Sequence, residues 1–179
     1  MNNAAYKKLD YSLALLSTAE GGKNFGCIIN SLHQVTSSRP PKFTLSLNND
    51  SATGAALKKS GVAAVTLLAQ DADEKIVNEF GYKSGRAIDK FAAFPFEKDE
   101  NGCPWLREGM VSRLSLRVTE TVAIGSYTLF VCELADAEVL ADGDCLTVKA
   151  LESRGKDAPP AAPVYHEVGP DAGWKCTVC

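Results

Sequence analysis

Residues 42–61 read KFTLSLNNDSATGAALKKSG, and within this stretch a strand pattern gives way to a helix pattern. From Lys42 to Asn48 apolar and polar residues alternate, which predicts a half-buried strand. Ser51 then opens a run of small and apolar residues that stops at Gly61, which is typical of a helix with an N-cap and a glycine stop. The stretch therefore predicts a strand that leads directly into a short capped helix.

Similar patterns along the rest of the chain predict a mainly β domain. Gly21 and Gly22 separate the first two strand-like runs and favour a hairpin turn between them. Helical spacing recurs before Gly81, which we expect to end the second helix, and again around 87–91. The other expected strands are Tyr11–Thr18, Phe25–Asn30, Val62–Ala69, Leu114–Thr119, Tyr127–Leu140 and Cys145–Leu151. Because their connections are short, most strands should be antiparallel, in a barrel-like α+β domain with two or three short inserted helices.

The composition is that of one soluble globular domain without a general affinity for polyanions. The 179 residues are 45% hydrophobic and 23% charged. The net charge is −3 and the pI is near 5.4, so neither nucleic acid nor an anionic membrane is an expected partner. The most apolar run, residues 62–69, is far shorter than the roughly 20 residues of a membrane-spanning helix. No cleavage site follows the first apolar run, and we expect a cytoplasmic protein.

Four scattered cysteines lack the spacing of a metal site or a disulfide framework. We expect them to be small buried or half-buried hydrophobic residues. They are Cys27, Cys103, Cys132 and Cys145.

Two stretches of small polar residues beside predicted strands form the candidate site. Residues 30–41 open from a strand into a loop with two prolines, and residues 46–53 lead into the capped helix. Hydroxyl groups and free backbone N–H groups at a helix N-terminus are suited to bind phosphate. The alternative is that Ser51 or Asp50 only caps the helix.

A series of short motifs runs through residues 6–150 in a fixed order. They are NS at 30–31, VT at 35–36, PP at 40–41, SAT at 51–53, DKF at 89–91, GCPWL at 102–106 and GSYTLFVCEL at 125–134. In this order and spacing they resemble the flavin reductase-like family of FMN-binding split barrels. The resemblance implies a split β-barrel of Greek-key, mostly antiparallel strands with short inserted helices.

The resemblance also implies a cofactor site without a catalytic side chain, since the redox chemistry belongs to the flavin. One group would line the isoalloxazine ring: Asn30, Ser31, Val35 and Thr36. Ser51 and Thr53 would hold the phosphate at the N-terminus of the following helix. The remaining predicted cofactor-binding residues are Ser37, Asn48, Phe80, Gly81, Lys83 and Lys90.

The function implied by the resemblance is that of a homodimeric, FMN-dependent oxidoreductase, with FAD as the other candidate cofactor. Electrons would come from NAD(P)H or a reduced rubredoxin-type donor and pass to a rubredoxin-type centre or another acceptor. Tyr127 and Ser126 stand where many family members have a His and an Asp. That His is associated with the nicotinamide side of the site, so this departure bears on the choice of donor, and His33 is a candidate substitute. The alternative from another class is a flavin-binding module without turnover, as in a sensor or storage protein.

The composition changes after Leu151, and we place the end of the flavin-binding domain at residue 152. Residues 153–173 contain four prolines and no apolar periodicity, which predicts an extended linker. We expect that deleting residues 155–179 leaves flavin affinity unchanged within about 0.5 kcal/mol.

The last six residues, WKCTVC at 174–179, resemble the first half of a rubredoxin iron site. Cys176 and Cys179 would bind iron only in a longer form that supplies two more thiolates. We therefore expect a fusion of a flavin reductase with a rubredoxin. The alternatives are a natural truncation with a reactive dithiol, and two tails that share one metal.

Overall fold

The computed structural model describes residues 5, 8–157 and 159. Within these residues the strands are β1 Ala14–Glu20, β2 Lys23–Ile29, β3 His33–Gln34, β4 Lys42–Asn48, β5 Val62–Leu68, β6 Glu97–Lys98, β7 Pro104–Trp105, β8 Met110–Ile124 and β9 Tyr127–Val139. The α-helices are α1 Ala52–Ser60, α2 Glu74–Tyr82 and α3 Val148–Ser153, and a short 3-10 helix covers Lys90–Ala93. The predicted α+β class, mainly β with short helices, is confirmed.

Seven strands form one antiparallel sheet in the order β2-β1-β5-β8-β9-β4-β3, and β6 pairs with β7. The predicted first hairpin is present, with positive φ angles at Gly21 and Gly22. β2 and β3 are the two edges of the large sheet. The Ser31 hydroxyl, just after β2, hydrogen-bonds to the backbone of Ser46 in β4, beyond the short strand β3, and so connects the two ends of the sheet. The sheet therefore forms a barrel that a side chain closes at this seam, as in a split barrel.

Both faces of the central strands are buried, which explains their nearly continuous apolar runs. In β1, Leu15 packs in the cluster that contains Phe80 of α2 and Phe91 of the 3-10 helix. Its neighbour Leu16 packs in a second cluster, with Leu45 and Phe130, inside the barrel. Two cores on opposite faces of β1 thus fix α2 against the barrel.

The helix α1 has the predicted ends. Ser51 accepts a hydrogen bond from the Gly54 N–H at 3.2 Å, and Gly61 adopts a φ of 68° while its N–H binds Leu57 O. The predicted end of α2 at Gly81 is wrong, because Gly81 lies inside the helix and the extended residue Lys83 follows its last turn.

The predicted last strand, Cys145–Leu151, is also wrong, since it is reduced to isolated bridges at Cys145 and Thr147. The Thr147 hydroxyl accepts from the Ala150 N–H and starts α3. Val148 and Leu151, one turn apart, are both buried against the core. The alternation of Leu146, Val148 and Ala150 resembles a strand pattern. It covers too few residues to outweigh the helix cap at Thr147.

The remaining expectations differ in smaller ways. The helical piece expected around 87–91 is the 3-10 helix Lys90–Ala93. Cys27, Cys103 and Cys132 are buried and Cys145 is partly buried, as predicted. Among the residues described, no helix is long and apolar enough to cross a membrane.

The chain that follows α3 runs along α2. Lys156 lies 2.9 Å from a carboxylate oxygen of Glu74 and 3.0 Å from Oδ1 of Asn78. The Tyr82 hydroxyl donates to Asp157 O at 2.5 Å, and Pro159 is buried. The first residues of the predicted linker 153–173 therefore contact the domain, while residues 160–173 lie outside the described part.

Candidate functional site

A cleft that contains Lys90 lies where the N-terminus of α1, the strand β2 and the last turn of α2 meet. We call it the Lys90 cleft. It brings together six of the predicted cofactor-binding residues: Ser51, Thr53, Phe80, Gly81, Lys83 and Lys90. Its other lining residues are Cys27, Ala52, Ser84 and Gly85.

The Lys90 ammonium is the main charge of this cleft. Its side chain is 5% exposed, and its Nζ donates to Gly26 O at 3.1 Å and to Phe80 O at 3.2 Å. Phe80 O belongs to the last turn of α2, where carbonyl groups lack helical partners and the helix dipole favours a cation. Two carbonyl groups therefore hold the ammonium, and one of its three N–H donors remains.

No carboxylate in the described part of the chain lies within 4.0 Å of Lys90. Glu79 is a carboxylate whose charge reaches it, but Glu79 pairs with Lys83 at 2.6 Å. Burial lowers the pKa of Lys90 below its ordinary value because the charged form loses hydration. A buried cation with no carboxylate of the described residues within 4.0 Å, beside a cleft, is suited to receive an anion.

The opposite wall of the Lys90 cleft is the first turn of α1. The Ser51 hydroxyl accepts a hydrogen bond from the helix backbone, so its predicted role as N-cap is confirmed. The first N–H groups of the helix have no helical acceptor and carry the positive end of its dipole. Thr53, 3% exposed, presents its hydroxyl in the same turn. The first turn of α1 can therefore contain the N-cap and also donate hydrogen bonds to a phosphate.

Two residues of this region were missed by the sequence analysis. Burial raises the pKa of the Cys27 thiol, while the Lys90 charge and the hydroxyl groups of Thr53 and Ser51 lower it. The Arg86 guanidinium donates to Asp50 O at 2.7 Å and so joins the loop after α2 to the start of α1. Alternation along β2 places Cys27 on the barrel face, but no pattern in the sequence shows that α1 meets it there.

A second cleft, the Asn30 cleft, lies beside the seam of the barrel. It is lined by Tyr11, Asn30, Ser31, His33, Thr44, Ser46 and Leu129. Asn30 is 3% exposed, and neither its Oδ1 nor its Nδ2 has a partner among the residues described. Leaving buried polar atoms unpaired costs about 1–3 kcal/mol, so this amide is suited to a ligand that supplies both a donor and an acceptor.

The Asn30 cleft begins just after the end of β2, the strand that carries Cys27 of the Lys90 cleft. Cys27 and Asn30 are three residues apart, which corresponds to about 10 Å in an extended chain. A ligand that occupied both clefts would carry an anion at one end and an amide-like edge at the other.

The other predicted residues lie outside both clefts. Val35 is 58% exposed, and Ser37 is exposed as well. Thr36 accepts from the Lys42 N–H at 3.0 Å, and Asn48 accepts from the Asp50 N–H at 2.9 Å. Their roles at a cofactor stay predictions, as do those of the residues inside the clefts.

Tyr127, which stands at the position of the family His, and His33, its candidate substitute, lie in different parts of the barrel. Tyr127 begins β9, where it pairs with Asn48 of β4 and Ile124 of β8, and is half-buried. His33 is exposed at the rim of the Asn30 cleft, with its ring centroid 6.2 Å from that of Tyr11. Of the two, only His33 lines a candidate cleft.

The described residues contain no group of three or more His, Cys, Asp or Glu that could hold a metal ion. The predicted iron ligands Cys176 and Cys179 lie outside the described residues, as does the rest of 174–179.

The seven-stranded barrel, its seam and the cleft at a helix N-terminus define a protein of the split-barrel flavoprotein class. Residues 6–150 match the sequence profile of the flavin reductase-like domain, so the chain belongs to this family. The predicted resemblance is confirmed.

Two curated relatives cover most of the chain. The ferric-chelate reductase (NAD(P)H) of Archaeoglobus fulgidus is 31% identical over 169 residues, which are 93% of this chain and 99% of that protein. The high molecular weight rubredoxin of Moorella thermoacetica is 26% identical over 187 aligned positions, which cover this whole chain and 81% of that protein.

Solved structures share the fold at lower identity. The NADH:FAD oxidoreductase of Streptomyces globisporus has a TM-score of 0.71 at 20% identity and covers 79% of this chain and 83% of its own. An FMN-binding protein of Thermus thermophilus has a TM-score of 0.67 at 22% identity, over 75% of this chain and 74% of its own. These structural similarities confirm the barrel fold.

Proposed function

We propose that this chain, a flavin reductase-like oxidoreductase by family, binds FMN across its two clefts and passes electrons through it. The observation that carries the proposal is the buried Lys90 ammonium, which faces the Lys90 cleft without a carboxylate within 4.0 Å in the described residues. FMN has a phosphate at one end and a ring edge with hydrogen-bond donors and acceptors at the other. These features correspond to the two clefts.

The residues present fit that cofactor. Lys90, Thr53 and the first turn of α1 would hold the phosphate, because a helix N-terminus and a cation both favour it. The Asn30 amide would pair with the pyrimidine edge of the ring. Ser31 would contribute through its backbone, because its hydroxyl is occupied by Ser46. FAD stays the other candidate, since its diphosphate has the same kind of charge.

When bound, the flavin supplies the capacity to accept a hydride or single electrons and to release them. The chain would bind and orient it and would protect one side of it from water. No side-chain acid or base is required for this, and the proposal assigns none.

The donor is NAD(P)H or a reduced rubredoxin-type protein, and the acceptor is a rubredoxin-type centre or another oxidant. The ferric-chelate reductase relative bears NAD(P)H in its name, which supports the first donor. The high molecular weight rubredoxin aligns with the whole chain, which supports a rubredoxin-type partner. His33, at the rim of the Asn30 cleft, is the side chain we propose for nicotinamide contact in place of the family His.

We also propose a homodimer. Two large apolar side chains are exposed near the tip of the long hairpin of β8 and β9, Val122 at 45% and Ile124 at 55%. Burying such a surface against a second copy would follow the usual two-fold arrangement of homo-oligomers. Sedimentation of the flavin-loaded protein tests this, and a loaded monomer would contradict it. The cytoplasmic location stays a prediction from the sequence.

The experiment for the main proposal is a titration with FMN followed by anaerobic reduction. We expect the purified protein to be yellow or to bind added FMN with micromolar or better affinity, and NADH, NADPH or reduced rubredoxin to bleach it rapidly. A protein that stays colourless in excess FMN would refute the proposal. Bound flavin that none of the three donors reduces would favour the module without turnover.

A further inference from the structure

The segment after α3 follows α2 to the edge of the Lys90 cleft. We call residues 154–157 and 159 the strap. Arg154 donates to Gln70 O, before α2, and Lys156 lies 2.9 Å from Glu74 and 3.0 Å from Asn78 on its first two turns. The contacts thus advance along the helix in the order of the sequence.

The strap ends on the last turn of α2. The Tyr82 hydroxyl donates to Asp157 O at 2.5 Å. A Cβ atom added at Gly81 would lie 3.1 Å from Cγ and 3.2 Å from Cβ of Pro159, so the proline ring lies directly against the backbone of Gly81. Pro159 is buried there. A Cβ atom at position 81 would require the proline ring to shift by a few tenths of an ångström.

The same turn of α2 forms a wall of the Lys90 cleft. Phe80 and Gly81 line the cleft, and Phe80 O accepts from the Lys90 ammonium at 3.2 Å. The strap is therefore two contacts away from the buried cation: Pro159 touches Gly81, and the adjacent carbonyl group holds Lys90.

We propose that the strap is a positioning element of the cofactor site. It fixes the last turn of α2 and, through Phe80 O, the Lys90 ammonium that receives the phosphate. FMN affinity then depends on a docked strap. Because coupling between two binding events is reciprocal, bound FMN must favour strap docking by the same factor. This inference rests on the proposed function, and it replaces the expectation that deletion from residue 155 is without effect.

The first test compares the full-length chain with its variant Lys156→Gln/Pro159→Gly. We expect the Kd for FMN to rise at least fivefold, at the lower end of usual couplings between sites. The Kd for riboflavin, which lacks the phosphate, should change less than twofold. Lys75→Gln is the matched control, because Lys75 lies on the same helix, is 82% exposed and does not contact the strap. Thermal unfolding without flavin checks that each variant folds.

The second test uses the close contact at Gly81. Gly81→Ala alone should weaken FMN binding, because the added methyl group shifts the proline ring from its contact with residue 81. In a chain that already carries Pro159→Gly, the same substitution should cost much less, so the two changes should be clearly non-additive. Additive losses would mean that residue 81 acts on FMN without the strap and would contradict the proposal.

The third test measures, on the unaltered chain, whether bound FMN favours docking of the strap. Trypsin cleaves after Arg154 and Lys156 only when the strap is undocked, so saturating FMN should slow both cleavages at least fivefold, as followed by mass spectrometry. Equal cleavage rates with and without FMN, or strap variants with an unchanged Kd, would overturn this inference while leaving the proposed function intact. Failure of the unaltered chain to bind FMN would overturn both.

Discussion

The Ser31 hydroxyl holds both backbone groups of Ser46, since it accepts from the Ser46 N–H and donates to the Ser46 C=O, each at 3.0 Å. β3 pairs with β4 only at Thr44 and Phe43, so no strand of the described chain covers this side of β4 at Ser46. One side chain thus replaces a rung of backbone pairing and closes the barrel beside the Asn30 cleft.

Ser31→Ala should therefore lower the free energy of unfolding by about 1–3 kcal/mol, because it leaves two backbone groups of Ser46 unpaired. Urea unfolding followed by circular dichroism measures this. Ser37→Ala is the control in the same loop, where the exposed side chain should contribute less than about 0.5 kcal/mol. Equal midpoints for the two variants would show that the seam is held by something else.

Asn30→Leu should separate stability from binding. The variant removes a buried amide that has no partner in the described residues, so the flavin-free protein should lose no stability. Affinity should fall by about 1–2 kcal/mol for both FMN and riboflavin, because both carry the same ring. Fluorescence titration checks this, and a loss confined to FMN would place the amide at the phosphate instead.

Lys90→Met should give the opposite selectivity. Removing the ammonium should weaken FMN by about 1.5–3 kcal/mol, the usual contribution of a hydrogen bond to a charged group, and leave riboflavin nearly unchanged. Titration of both flavins at neutral pH measures the difference. Equal losses for FMN and riboflavin would contradict a phosphate contact.

The pH dependence of FMN affinity follows from the same group. Burial lowers the pKa of Lys90 from 10.5, so the empty folded chain releases this proton at a lower pH than the unfolded chain. As pH rises through the lowered pKa, FMN affinity should fall because the cation is lost. Kd values for FMN across alkaline pH, with Lys90→Met as a flat reference, check this expectation.

The same group affects the stability of the flavin-free protein. Between the lowered pKa and 10.5 the unfolded chain binds more protons than the folded chain, so the free energy of unfolding should increase as pH rises.

Ser51→Ala/Thr53→Ala should weaken FMN by roughly 2–4 kcal/mol, at about 1.5–2 kcal/mol for each charge-assisted hydrogen bond. Loss of the Ser51 cap should also lower stability by about 1 kcal/mol, because the Gly54 N–H loses its acceptor. Isothermal titration and thermal unfolding separate the two effects. Unchanged FMN affinity would move the phosphate away from α1.

Local signals explain what the sequence could predict. The cap at Ser51, the left-handed Gly61 and the Gly21-Gly22 turn are properties of a few adjacent residues, so the hairpin, β4 and α1 were predicted within three residues at each end. Gly81 gave a misleading stop signal, because its role is the close approach of Pro159 and not a change in backbone direction.

The candidate site depended on contacts between distant segments. Ser51 and Thr53 could be assigned by motif, but the meeting of Cys27, Lys90 and Phe80 depends on how α2 and the 3-10 helix pack on β2. The strap was missed for a related reason. Its prolines and lack of periodicity are typical of a linker, and only the position of α2 gives Pro159 a partner.

Under the proposed function, the buried Lys90 ammonium would also tie the lifetime of the protein to its cofactor. A buried charge without a counter-charge weakens a fold, whereas a ligand that binds only the folded state strengthens it in proportion to the logarithm of its concentration. Proteases remove unfolded chains continuously in a cell. Copies that lack flavin would therefore be degraded first, and the abundance of the protein would follow the supply of flavin without a dedicated regulator.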